Sequence, residues 1–367
     1  MTKYSPEQKR DMLRLIRTDN VGPVTFHKLL EVFKDPSEAL KHLPDIALRG
    51  GRKSKLKIMS IAAAEKELAA NEKLGARILV HGEPDYPREL AAIPDAPPVI
   101  SALGHIHLLR LPKIGFVGSR NASMNALKMT EKLSAGLADK GFGIVSGMAR
   151  GVDAAAHWQG LHNGTIAVLA GGVDIVYPKE NQDLYQRIKD EGLIIAENPP
   201  GTKPLAQHFP RRNRLISGLC LGVVVTEAAQ RSGSLITARL AGEQGREILA
   251  VPGSPLDPRC RGSNNLIRQG ATLVEDVDDI LDVVRPLSEH IEEPERPDKI
   301  HVSIDTQTSD AARNQIIELL GPSPVTIDEL IAQTHYPPSV VHMVIIELEL
   351  AGRLIRDQIG VSLNMDT

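Results

Sequence analysis

Six short, almost wholly apolar runs, spaced by stretches long enough to be helices, leave this chain few folds to choose from. They cover residues 114–117, 143–146, 166–169, 193–196, 222–226 and 248–251, and the first three run directly into glycine or alanine. Strands buried on both faces read this way, because both sets of alternating side chains must be apolar. Between them, helical patterns cover 124–140, 153–163, 181–191 and 234–245. Alternation of this kind predicts a doubly wound, mostly parallel α/β sheet.

Outside that core the pattern changes. Residues 1–77 carry apolar residues at helical spacing, among them Met12, Leu15, Ile16, Phe26, Leu29, Leu30 and Phe33, interrupted at Val21-Gly22-Pro23. Pro23 is placed to open the second helix. A helix, a glycine-containing turn and a second helix resemble helix-hairpin-helix and sterile-alpha-motif-like modules. Residues 78–113, rich in proline, extend the central Rossmann-like domain, which is expected to span 78–285. Charge and proline without periodicity mark 286–309 as a linker. Helices at 311–320, 327–333 and 338–351 with strands at 354–356 and 361–363 predict a winged helix over 310–367.

Hydrophobic residues make up 42% of the 367, enough for ordinary cores, and the formal charge of −3 offers no global attraction to nucleic acid. Any anion site must therefore be local. Cys220 and Cys260 are the only cysteines, too few for a disulfide framework or a four-ligand zinc site. The opening residues Met1 to Pro6 lack a signal-peptide pattern, and no apolar stretch is long enough to span a bilayer. A cytoplasmic location is expected.

Ligands of an open parallel sheet bind beyond the carboxyl ends of its strands. The first such loop is Gly118-Ser119-Arg120-Asn121-Ala122-Ser123, and the second is Gly147-Met148-Ala149-Arg150-Gly151-Val152-Asp153. The third holds Gly171, Gly172, Tyr177, Lys179 and Asn181; Phe209-Pro210-Arg211-Arg212-Asn213-Arg214 precedes the fifth strand, and Arg231, Ser232 and Ser234 follow it. Glycine amides and helix N-termini approach anions closely, and the serines add neutral donors. Seven cations, Arg120, Arg150, Lys179, Arg211, Arg212, Arg214 and Arg231, exceed the need of one phosphate and suit a repeated-phosphate backbone. Arg212 and Arg214 have an alternative reading as structural partners of Asp153, Asp174 or Glu227. Asp153 is expected to cap the helix that reaches His157, and Glu227 to orient loop amides or an arginine. Tyr177 and Phe209 are candidates to stack on bases, an interaction contributing ~1–3 kcal/mol per base.

At these loops the sequence resembles the DNA-processing protein A (DprA, Smf) family. The matching motifs are Gly118-Ser119-Arg120, Ser146 to Asp153, Tyr177-Pro178-Lys179-Glu180-Asn181, Phe209 to Leu219, Glu227 to Ala238, Ala250-Val251-Pro252-Gly253 and Gly262 to Ile267 with Gly270-Ala271. The resemblance implies a protein that binds single-stranded DNA during natural transformation, loads the RecA recombinase, and pairs as a homodimer through its Rossmann domain. It also implies a basic pocket to which Arg120 and Lys179 map by motif, with Arg150, Arg211, Arg212 and Arg214 in neighbouring motifs. No cofactor and no catalytic residue are implied.

The winged helix tempts a duplex-reading hypothesis that its charges oppose. Residues 338–349 carry no lysine or arginine, and from Asp310 onward the only such cations are Arg313, Arg353 and Arg356. Recognition helices lead with cations and amides, so this domain is expected to contact protein, a second copy or a partner, with Arg353 and Arg356 as the only candidates to touch DNA. Two rival functions remain: a phosphoribohydrolase-like nucleotide enzyme, and a winged-helix transcriptional regulator. The phosphoribohydrolase Pro-Gly-Gly-x-Gly-Thr-x-x-Glu run is missing, as are a dinucleotide Gly-x-Gly-x-x-Gly after the first strand and a Walker phosphate loop.

Overall fold

The computed structural model describes residues 4–289, 310–356 and 360–365. Met1 to Lys3, most of the expected linker (290–309) and Asp357-Gln358-Ile359 of the wing turn lie outside the described residues. Two compact units emerge, one of residues 67–289 and one that joins residues 4–66 with 310–365.

Helices α1 (Pro6–Ile16), α2 (Pro23–Phe33), α3 (Pro36–Arg49) and α4 (Ile61–Leu74) open the chain, and the boundary between the units falls within α4. Each of the first three helices starts on a proline, whose missing N–H costs nothing in a first turn. Gly22 caps α2 with Pro23 in its opening turn, as the sequence predicts.

The larger unit is built on nine strands. They are β1 (Arg77–Val80), β2 (Val99–Gly104), β3 (Lys113–Val117), β4 (Gly143–Ser146), β5 (Thr165–Leu169), β6 (Leu193–Ala196), β7 (Gly222–Val225), β8 (Glu247–Ala250) and β9 (Thr272–Leu273). Their order is β1-β2-β6-β5-β4-β3-β7-β8-β9. Strands β3 to β9 run parallel, while β2 is antiparallel to β6 and β1 to β2. Every residue of β3 to β7 is buried, which explains the unbroken apolar runs. Lys113 is buried with them, because its ammonium donates to Glu89 Oε1 at 2.9 Å and to the carbonyls of Leu109 and Leu111. A buried charge with three acceptors can be tolerated where an unpaired one cannot.

Helices α5 (Arg88–Ala91), α6 (Met124–Asp139), α7 (Val152–Gly160), α8 (Gln182–Glu191), α9 (His208–Gly218), α10 (Ser234–Glu243), α11 (Arg261–Arg268) and α12 (Val277–Glu289) complete this unit. Two of these correct the sequence reading. The segment read as a loop before the fifth strand is α9, where Pro210 occupies the first turn and therefore breaks nothing. Helix α12 also runs four residues into the expected linker. The chain turns back between β6 and β7, so β3 and β7 flank the switch point of the sheet, where open α/β sheets leave a crevice.

In the second unit, α13 (Asp310–Leu319), α14 (Ile327–Thr334) and α15 (Pro338–Leu350) precede the hairpin β10 (Leu354–Arg356) and β11 (Val361–Leu363). Ile316, Leu330, Val341, Val344, Ile345, Leu348, Leu354 and Val361 share one core. The other flank of α15 packs on α3. Glu347, with no exposed surface, pairs with Arg49 at 3.0 Å and Arg313 at 2.9 Å, while Glu349 accepts from Thr25 Oγ1 and pairs with Arg356. A Cβ at Gly50 would collide with the Glu347 carbonyl, so glycine permits the approach. The protein surface met by this acidic helix is therefore the chain's own N-terminal module, where a second copy or separate partner was expected.

Candidate nucleic-acid interface

The loops at the carboxyl ends of β3, β4, β5 and β7 lie side by side because those strands are neighbours or near neighbours in the sheet. Buried carboxylates set their shapes. Glu227, just beyond β7, is 2% exposed and accepts the Ser123 amide of the β3 loop, at 3.2 Å to Oε1, across the switch point. Ser123 in turn caps α6 by accepting from the Ala126 amide at 3.1 Å. Asp153 does not cap α7, whose cap residue is Gly151. From the first turn it reaches back to accept the amides of Gly147 and Ala149, at 3.1 and 3.2 Å, and so fixes the β4 loop. Burial pushes its carboxyl above the usual range, with the Arg212 guanidinium acting in the opposite direction.

Gly151 shows why glycine is required here. Its φ of +74° lies in the left-handed region, and a Cβ would run into the Ser119 carbonyl. Gly171 and Gly172 serve a different end from the expected anion cradle. Both are buried, a Cβ on either would meet backbone oxygen of the 199–204 segment, and the Gly172 amide donates to the Thr202 carbonyl at 2.9 Å. Asn181 likewise spends its amide group on the carbonyls of Met148 and Ala149.

The seven cations divide into two groups. Arg212 is buried on α9 and donates to the carbonyls of Gly147, at 2.8 Å, and Val168, tying the ends of β4 and β5 together. Desolvation lowers its pKa to about 10, opposed by Asp153 and reinforced by Arg120, so the group stays charged at neutral pH. Arg214 is likewise buried on α9. Its Nη2 donates to both carboxylate oxygens of Glu197, at 2.6 and 2.7 Å, Nη1 donates to the Asp95 carbonyl at 2.6 Å, and Nε lies 3.3 Å from the Asp95 carboxylate, partners the sequence did not single out. Asn213 accepts from Arg212 Nε at 3.4 Å. Neither arginine offers an open guanidinium to a ligand.

Arg120, Arg150, Lys179, Arg211 and Arg231 are exposed and have no carboxylate partner among the described residues. The Arg120 guanidinium lies 5.8 Å from the centroid of Phe209, and the Phe209 ring lies 5.5 Å from that of Tyr177, a residue 48% exposed. A small depression beside these rings is lined by Gly147, Ala170, Gly171, Tyr177, Pro204, Phe209 and Arg212. Ser119 Oγ accepts from the Asn121 amide, and Gly118 packs closely on Val152. Beyond β7, the hydroxyls of Ser232 and Ser234 lie 2.6 Å apart beside exposed Arg231. Of possible metal ligands, Glu227, Asp257 and Cys260 approach within 4.8 Å, but Glu227 already holds an amide and Asp257 pairs with Arg259.

A family model described as DNA recombination-mediator protein A matches residues 77–285, more than half of the chain. The chain belongs to the DNA recombination-mediator protein A family. Models of that family's N-terminal HHH domain and winged helix domain match residues 6–70 and 304–357. Protein Smf of Escherichia coli (strain K12) is 37% identical over 270 residues, 73% of this chain and 72% of that protein. DNA processing protein DprA of Streptococcus pneumoniae is 48% identical over 198 residues, 53% of this chain and 70% of that protein. The crystal structure of the pneumococcal DprA covers 77% of this chain and 98% of its own, with a TM-score of 0.64 and 36% identity. A Helicobacter pylori DprA structure, described for its single-stranded DNA binding mode, covers 58% and 96%, with a TM-score of 0.53 and 28% identity. Among the described residues no helix is long and apolar enough to cross a membrane.

Proposed function

We propose that this protein binds single-stranded DNA along the strand-end rim of its α/β unit and carries out no chemistry on it. The observation that carries the reading is the set of five exposed cations without a carboxylate partner among the described residues, Arg120, Arg150, Lys179 and Arg231 on strand-end loops and Arg211 in the first turn of α9. Repeated phosphates supply the matching anions, and the Tyr177 face beside Phe209 and Arg120 offers one base a place to stack. Arg212, Asp153 and Glu227 brace the rim from beneath. The Helicobacter pylori relative's single-strand binding supports the assignment. Loading of RecA onto the bound strand, pairing of two copies through the α/β unit, and a cytoplasmic place in transformation and recombination follow from the family likeness as parts of the same proposal.

A duplex-reading regulator fits poorly, because α15 is covered by α3 and its two acidic side chains are already paired, Glu347 with Arg49 of α3 and Glu349 with Arg356 of β10. Arg353 and Arg356 are also engaged, with the Gly50 carbonyl and with Glu349. The test is oligonucleotide binding by anisotropy over a salt series. Arg120→Ala or Lys179→Ala should weaken single-strand binding roughly 5- to 10-fold. Each should also flatten the salt slope by about 0.7, whatever the base sequence. Affinity unchanged in both variants would remove the rim from consideration. Base release from nucleoside monophosphates would instead establish the enzyme reading.

A further inference from the structure

The loop between α3 and α4 carries Arg52, Lys53, Lys55 and Lys57 within six residues. It has no regular secondary structure, yet it is firmly held. The Arg52 guanidinium donates to the carbonyls of Leu350 and Ser54, Leu56 is buried, the Lys57 carbonyl accepts from the Asp19 amide, and the Met59 carbonyl accepts from Arg14. These anchors use backbone carbonyls and the side chains of Arg52 and Leu56, and they leave the side chains of Lys53, Lys55 and Lys57 exposed.

Surface lysines are ordinary, so the comparison that matters is with their neighbours. Elsewhere on this module Lys28 pairs with Glu31 at 2.9 Å, Lys41 with Glu38 at 2.6 Å and Arg10 with Asp11 at 3.2 Å, while exposed Lys34, without a carboxylate partner among the described residues, stands singly rather than in a cluster. Lys53, Lys55 and Lys57 have no such partner among the described residues, and Asp19, the carboxylate beside the loop, is taken by Arg52 at 3.6 Å. Three like charges are thus fixed on one short loop of a protein whose overall formal charge is −3. Like charges held together without counter-charge raise a local positive potential. Lys53, Ser54 and Lys55 are exposed in succession, and Leu56 turns in between Lys55 and Lys57. A row of separated point charges, with no apolar side chain exposed among them, suits a repeating monoanion.

We infer that the loop bearing Lys53, Lys55 and Lys57 is a second nucleic-acid contact, which binds the phosphate backbone of a single strand through charge alone and is separate from the strand-end rim. This rests on the single-strand reading given above, and the experiment separates the two. Wild type, the triple variant Lys53→Gln/Lys55→Gln/Lys57→Gln, the triple Lys→Arg variant and Arg120→Ala are titrated as full chains against a ~60-nucleotide strand over a potassium chloride series. The triple Gln variant should bind several-fold more weakly, with a salt slope shallower by up to about 2, the value for three lost contacts to a single strand. The Lys→Arg variant should match wild type. DNA should also protect these three lysines of the wild type from acylation, read by mass spectrometry. A triple Gln variant identical to wild type in affinity and slope, or lysines labelled equally with and without DNA, overturns the inference and leaves the rim untouched. Absence of single-strand binding by wild type removes the rim reading and this one together.

Discussion

Arg212 lies among the family's basic motifs, and the structure gives it a task that a single substitution can isolate. Its guanidinium is buried, bonds the carbonyls at the ends of β4 and β5, and balances the buried carboxyl of Asp153. Arg212→Met keeps most of the aliphatic volume and removes the charge. Two charge-assisted bonds are lost, two carbonyls forfeit their donor, and Asp153 is left without its compensating cation. Breaking a buried charge arrangement of this kind costs roughly 3 kcal/mol. For a unit of this size that corresponds to a fall in Tm of about 6–12 °C. The chain's single tryptophan, Trp158, lies in α7 of the same unit, so its fluorescence follows this unit's melting. The exposed Arg120→Ala change should leave that melt in place while weakening DNA binding. A melt for Arg212→Met within about 1 °C of wild type would refute the bracing role. So would lost DNA binding with an unchanged melt, which would mean that the guanidinium meets the ligand directly.

Two further outcomes follow from buried charges elsewhere. His157 is fully buried, with Nδ1 2.7 Å from Thr165 Oγ1, and desolvation followed by Arg212 depresses its pKa to about 3. Below pH 6.5 the unfolded chain takes up a proton that the folded one refuses. Stability from this group is therefore complete above that pH and is lost as pH falls toward 3, by about 2 kcal/mol at pH 5. Urea titrations read at Trp158 should show His157→Gln with a flatter dependence between pH 6.5 and 5, and an identical slope would contradict the assignment. Glu347→Ala strands Arg49 and Arg313 and should destabilise the N-terminal and winged-helix unit by roughly 3 kcal/mol. Calorimetry should show that unit's transition falling while the Trp158 melt holds, and no shift in either would count against the packing of α15 on α3.

The parallel sheet was legible because strand burial is written locally, as apolar runs in which both alternating faces must avoid water. The strand-end loops followed from topology alone; a carboxylate at a buried strand end must find donors, and of the two the sequence offered Glu227, a loop amide or an arginine, the structure supplies the Ser123 amide. Asp153 was misread as a cap because a first-turn acid and a cap residue carry the same local signature. Helix α9 was missed because Pro210 resembles a loop marker until its position in the first turn is known. Helix α15 did carry a signal in its sequence: apolar residues on all sides, as in Val341, Met343, Val344, Ile345 and Ile346, mark a helix buried all round.

Sequence by itself settled which residue types gather at the sheet margin, since chain order and strand direction dictate that much. Only the tertiary structure decided which of the seven cations remain open to water and which, as Arg212 and Arg214, are consumed inside the fold. It also decided that the acidic helix near the C-terminus is covered by helices some 300 residues earlier in the chain. The reason is physical: a charge acts according to its solvation and its nearest opposite charge, and both are set by segments distant in sequence.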